Sequence, residues 1–200
     1  MAFSTIFDQL DANIRKMKKT PASGYDSISG LVLSDIYDSI KQVILHLINL
    51  SLCTGVFPQV FKITKIIPVL KNGKDPTIPS SYRPVSNLST LGKLVEQATM
   101  QQVKLHIKTH NLTNKDQHGG RGGHSTTTCV VELLEDIKTA QENRLKTALV
   151  AIDLSAAFDM CNHKILLEKC RLLALDSPTM KWLSSFFAAR QQVVEIAGKK

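Results

Sequence analysis

The sequence contains no Cys-x-x-Cys pair, no Asp-Asp pair, no Gly-Lys-Ser/Thr phosphate loop and no long unbroken apolar run. Each absence removes a class of protein. Cys53, Cys129, Cys161 and Cys170 stand far apart and share no zinc-ligand spacing with the six histidines. That argues against a zinc module and against a disulfide scaffold. Four scattered thiols read instead as reduced, mostly buried side chains of an intracellular protein, in nucleus or cytoplasm. The most apolar stretch, Val43 to Phe57, is short and broken by His46, Asn49 and Ser51, so it does not span a bilayer. Met1 to Asp8 lacks the basic-then-apolar layout of a secretory leader. No internal repeat or low-complexity run is present, which excludes a chain disordered throughout.

What is present is enough for one domain with a packed core and room for a second lobe: 200 residues, 43% hydrophobic and 21% charged. Lys and Arg number 25 against 17 Asp and Glu, for a formal net charge of +8. Such a surplus favours a polyanionic partner, because each phosphate neutralised releases counterions. A solvated basic surface carries the same surplus, so charge alone leaves both readings open.

Along the chain, a basic cluster at Arg15–Lys19 precedes a loop punctuated by Pro21 and Gly24. The cluster is too short to read as a nuclear signal. The spacing of Ile36, Ile40, Val43, Ile44 and Leu47 predicts a helix over about 34–52, ended by Gly55 and Pro58. Lys62 to Leu70 is rich in β-branched residues and predicts a strand, with Pro68 making its end an edge or a bulge. Residues 71–84 read as a turn-rich loop. A helix over 89–106 follows, capped by Ser89, with Leu91, Leu94, Val95 and Ala98 in register. Beyond the glycine-rich stretch 119–123, Ser125 caps a helix with the stripe Val130, Leu133, Leu134 and Ile137. Residues 148–154 predict a compact strand, 163–174 and 178–188 two helices, and 192–197 a last strand.

Three features carry chemistry. An apolar strand running into Asp153, with Asp159 beyond the turn, would present a carboxylate at a strand end. Two-ion phosphoryl transfer needs carboxylates that bridge ions about 4 Å apart, and Mg²⁺ takes such hard oxygen ligands. Equally, Asp153 could simply end the strand and Asp159 cap the next helix. Lys62, Lys65, Lys71, Lys74 and Arg83 surround the strand at 62–70 and could clamp phosphates, or keep a solvated hairpin soluble. Gln117 to Ser125 places glycines before a helix N-terminus, which suits phosphate binding and suits a plain flexible loop equally well.

Taken in order, these segments resemble the reverse transcriptase domain of non-LTR (LINE-type) retrotransposons. The resemblance begins at Lys19-Thr-Pro-Ala-Ser-Gly24-Tyr-Asp26 and Thr54-Gly-Val-Phe-Pro58 with Phe61-Lys62. It continues through Ile67-Pro68-Val-Leu-Lys71, Ser81-Tyr-Arg-Pro-Val-Ser86 and Leu91-Gly-Lys-Leu-Val-Glu96. Gln117-His-Gly119 with Arg121 and Ser125-Thr126 is similar to the family's Gln-x-Gly-Phe-Arg segment, and Asp153 to Asp159 to its Asp-Leu-Ser-Lys-Ala-Phe-Asp motif. Trp182-Leu-Ser-Ser-Phe186 and Arg190-Gln-Gln-Val193 close the series. The match runs from about residue 14 onward.

The resemblance implies an α+β right-hand polymerase fold: a lead-in over 1–30, then a partial domain over 31–200, mainly fingers to 146 and the start of the palm from 147. It implies Asp153 as catalytic metal ligand and Phe158 as the aromatic gate that excludes a 2′-OH. Lys71 and Arg83 would reach the incoming triphosphate, and Arg121 would line the nucleotide or template site. Lys62 and Lys65 are the candidate nucleic-acid contacts. The implied partners are an RNA template, a DNA primer, a dNTP and Mg²⁺, with no membrane. Three departures stand out: Gly120 where the family has Phe, Ala156 where it has Lys, and Asn162 where it has Asp. The family's Gly-x-Pro-Gln-Gly segment and its Tyr/Phe-x-Asp-Asp strand do not occur in these residues. The expectation is therefore a polymerase fragment that does not extend a primer by itself; a non-catalytic RNA-binding remnant is the alternative.

Overall fold

The computed structural model describes residues 10–15, 20–154 and 157–196. They build an α+β fold in two compact units, one formed by residues up to His106 and from His163 onward, the other by Ile107–Asn162. The expected palm segment is thereby shared: 147–162 belongs to the second unit and 163–200 to the first.

In the first unit, helix α1 runs Gly30–Thr54. It starts four residues earlier than the apolar spacing predicts, because Ser29 caps it by accepting from the Val32 N–H. Gly55 ends it in the left-handed conformation, with its N–H on the Leu52 carbonyl and the Val56 N–H on that of Ser51. The buried stripe is Leu33, Tyr37, Ile44, Ile48 and Ser51. Ile36 and Val43, expected in the stripe, are 43% and 68% exposed.

Strand β1 (Ile63–Leu70) lies between β2 (Tyr82–Asn87) and β3 (Gln191–Val194). It pairs antiparallel with β2 and parallel with β3. The β3 register stops at Ile66, so Pro68 lies where β1 has become an edge on that side. On the other side Pro68 faces Pro84. Arg83 and Pro84, expected in a loop, are strand residues.

Helix α2 (Thr90–Thr109) is capped by Ser89, whose hydroxyl accepts from Gly92 N–H, and buries Leu94, Val95 and Ala98. Helices α4 (His163–Leu172) and α5 (Ser177–Phe187) complete the unit, with Asp176 capping α5. The core gathers Leu10, Ile14, Leu33, Ile44, Ile48, Phe57, Phe61, Leu94, Val95, Trp182 and Leu183. At its centre the Trp182 indole N–H donates to Ser51 Oγ at 2.9 Å, and the Ser51 hydroxyl donates to the Val56 carbonyl. Phe57 packs edge-on against Trp182 and Phe186, 5.5 and 5.0 Å between ring centroids. Two of the segments that carry the family resemblance, at 54–58 and 182–186, are therefore halves of one aromatic cluster.

In the second unit, helix α3 (Thr126–Glu142) opens with a capping box between Ser125 and Thr128. Of its predicted stripe, Leu133 and Ile137 are half-buried, while Val130 and Leu134 are exposed. Residues 145–154, expected to include a strand, adopt no regular secondary structure. A strand is held by ladder hydrogen bonds, and the named sheet contains only β1, β2 and β3 among the described residues. The cysteines also depart from expectation: Cys53, Cys129 and Cys161 are exposed and only Cys170 is half-buried. Ala156 and the cluster residues 16–19 lie outside the described residues.

Candidate functional site

The basic candidates are organised by the β1–β2 hairpin. Opposed residues on an antiparallel pair point to the same face. Lys65 opposite Asn87 and Val69 opposite Arg83 therefore place Lys65 and Arg83 on one face, the reverse of that carrying buried Thr64 and Ile66. Arg83 is exposed. Lys65 is half-buried, with its ammonium 3.4 Å from Glu195 Oε2. That oxygen has no hydrogen-bond partner, so the contact is a charge contact without hydrogen-bond geometry.

The connection between the strands is shaped by its own polar groups. Lys71 donates its ammonium to the Ser80 carbonyl at 2.9 Å, and its backbone N–H to Ser81. Tyr82 donates its hydroxyl to the Pro76 carbonyl. Asp75 accepts from both the N–H and the hydroxyl of Thr77, and those bonds hold its carboxyl below the usual carboxylate range.

Lys62 is not part of this face. It is 5% exposed, at the turn that leads into β1. Burial, and then the like charge of Arg190, lowers its proton affinity. Arg190 lies 4.7 Å from the Phe186 ring centroid and donates to the Phe186 carbonyl. Burial pushes the Glu96 carboxyl up, against the opposing pull of Arg190 and Lys93.

The remaining candidates belong to the second unit. Arg121 donates through Nη1 to the carbonyls of Lys115 (2.9 Å) and Asn114 (3.4 Å), folding its loop back on itself. Gly120 adopts a left-handed φ of 72°, and nothing lies within 4 Å of a Cβ built on it. The family's Phe has no packed counterpart here, and the absence of that side chain leaves open surface and no cavity. Asp153 and Asp159 are exposed, and Phe158 is 97% exposed. Asp153 offers the hard oxygen that Mg²⁺ takes, but among the described residues no three His, Cys, Asp or Glu side chains converge to hold an ion. Lys71, Arg83, Lys62 and Lys65 thus fall in one unit and Arg121, Asp153 and Phe158 in the other.

His118 was not among the residues singled out from the sequence. Its ring nitrogens lie 2.9 Å from Thr128 Oγ1 and 2.8 Å from Glu132 Oε2. Thr128 and Glu132 are four residues apart on a helix, a spacing that puts them on one face. Nothing in the sequence tied that face to a histidine ten residues upstream.

A sequence profile of the reverse transcriptase (RNA-dependent DNA polymerase) family matches residues 69–200. The chain is 30% identical over 189 residues to the RNA-directed DNA polymerase from mobile element jockey of Drosophila melanogaster, covering 94% of this chain and 20% of that protein. It is 29% identical over 180 residues to the probable RNA-directed DNA polymerase from transposon BS of the same fly, covering 90% and 20%. The probable RNA-directed DNA polymerase from its transposon X-element is 27% identical over 184 residues. The chain spans about a fifth of the length of these relatives. With about two thirds of its length inside the profile, the chain belongs to the reverse transcriptase family, of the non-LTR retrotransposon type.

Proposed function

We propose that these residues are the fingers (31–146) and the first part of the palm (147–200) of an RNA-directed DNA polymerase, with 1–30 leading in. The observation that supports the reading most is the β1–β2 hairpin, with Arg83 exposed on one face and Lys71 at the base of the connection between the strands. The acceptor that Lys71 holds, the Ser80 carbonyl, is neutral. A triphosphate oxygen is the stronger acceptor, since charge-assisted hydrogen bonds are about twice as strong as neutral ones. Arg83 adds a bidentate fork.

The remaining roles follow the family. Phe158 packs under the sugar and excludes a 2′-OH, and Arg121 meets the nucleotide or template. Lys65 faces nucleic acid, where a phosphate has to displace Glu195; Lys62, buried at the turn into β1, is left out of that role. The reaction is attack of a primer 3′-hydroxyl on the α-phosphorus of a dNTP, with pyrophosphate leaving and divalent ions balancing charge in the assembled enzyme. Asp153 is the metal ligand of this segment. One carboxylate does not assemble a two-ion centre, and the sequence holds no Asp-Asp pair. We therefore propose that this chain binds nucleic acid without extending a primer by itself. That second property is also what a non-catalytic RNA-binding protein would show, and the net charge of +8 favours it equally.

The test is RNA binding across a salt series with the 200-residue chain. The wild type is expected to give a steep log–log slope, and K71A/R83A to reduce that slope by roughly two. An unchanged slope removes the hairpin from the proposal. Primer extension by the chain alone would overturn its catalytic incompleteness.

A further inference from the structure

The loop that carries Arg121 is fastened to α3 by one side chain. His118 reaches Thr128 through Nδ1 and Glu132 through Nε2, and its own side chain is only 11% exposed. Among the described residues, the other side-chain bonds and ion pair of residues 114–124 stay within the segment: Arg121 to Lys115 and Asn114, the Asp116 N–H to Asn114, Lys115 with Asp116, Gln117 to Gly119, and His124 to Gly122.

Both ring nitrogens are engaged. The Glu132 carboxylate only accepts, so Nε2 carries a hydrogen and donates to it. The Thr128 oxygen also lies 2.8 Å from both the carbonyl and the N–H of Ser125. A hydroxyl both donates and accepts, so Thr128 closes the clasp at Nδ1 with either tautomer of the ring.

We propose that His118 is a positioning residue: clasped between Thr128 and Glu132, it holds the Arg121 loop against the first turns of α3. This deepens the nucleotide and template role proposed for Arg121, and rests on it for its consequence. The loop depends on such a clasp because its glycines offer no anchor, and no atom lies within 4 Å of a Cβ on Gly120, Gly122 or Gly123. Glu135 and His124 face the same cavity of about 440 Å³, which His118, Thr128 and Glu132 also line. The His124 ring lies 5.2 Å from that of His118 between centroids.

Amide hydrogen exchange at residues 117–125 in the full 200-residue chain tests the clasp, with intrinsic rates divided out. H118A is expected to lower protection there roughly fivefold. E132A, which removes one of the two partners, is expected to lower it as well. T128S, which keeps the hydroxyl, should match the wild type. Protection in H118A or E132A equal to that of the wild type overturns the clasp. Loss of protection in E132A that extends equally along Leu133 to Gln141 also overturns it, because the residue would then act on the whole helix. No ligand enters this measurement, so it stands or falls apart from the Arg121 reading, which R121A tests through ligand affinity.

Discussion

Around Arg190 burial and charge act against each other on two side chains, Arg190 and Glu96, and together on a third, Lys62. The Arg190 guanidinium is partly buried over Phe186, and desolvation lowers its proton affinity while Glu96 raises it. Lys62 is lowered by burial and then by Arg190. For Glu96 burial outweighs the attraction of Arg190 and Lys93, so the folded carboxyl holds its proton more tightly than the unfolded one. A raised carboxyl contributes stability that is present at low pH and lost as the pH rises through the folded titration. The melting temperature of the wild type relative to E96Q is therefore expected to increase as the pH is lowered from about 7 to about 4. A difference that stays constant or shrinks would show that Arg190 dominates. Glu96 and Arg190 were visible in the sequence only as parts of two separate resembling segments. Their proximity needed the chain to bring α2 and β3 together.

At the level of elements, α1 shows how far periodicity reaches. Ile36, Ile40, Val43, Ile44 and Leu47 are helically spaced, and a helix is there. The same helix also carries Leu33, Tyr37, Ile48 and Ser51, which are the side chains that enter the core. With apolar residues on both sides, spacing establishes the helix and leaves its rotation open. Packing against α5, through Ser51 and Trp182, selects the face. Close approach is equally invisible from spacing. A Cβ at Gly24 would stand 2.6 Å from Ser89 N and 2.7 Å from Ser89 Cα, both backbone atoms at the cap of α2. Neither can turn aside as a side chain would. Gly24→Ala is expected to cost about 1–3 kcal/mol of stability, read as a lower denaturation midpoint at unchanged m value. A variant as stable as the wild type would mean that the segment can move away from the α2 cap at little cost.

For the molecule as a whole, the segment around Asp153 is where sequence and structure separate most. An apolar run ending on a carboxylate reads as a strand, yet 145–154 is irregular and exposed. Side-chain alternation and β-branching only prepare a strand; ladder partners make one. The family's Asp-Asp strand, the expected neighbour, does not occur in these residues. In a polypeptide that joins this segment to such a strand, Asp153→Asn is expected to lower single-nucleotide incorporation on the order of a thousandfold. Template affinity should change little. Full incorporation would end the assignment of Asp153 as a metal ligand. The sequence by itself determined the family, most of the helices, the caps at Ser89 and Ser125 and the central strand, because propensity, capping and motif order act over a few neighbouring residues. Tertiary structure alone decided which face of α1 is buried, that Lys62 is inside and Arg83 outside, and that His118 meets Glu132. Those outcomes depend on which distant segments meet, and a side chain's burial and charge state are set by neighbours that the order of residues does not name.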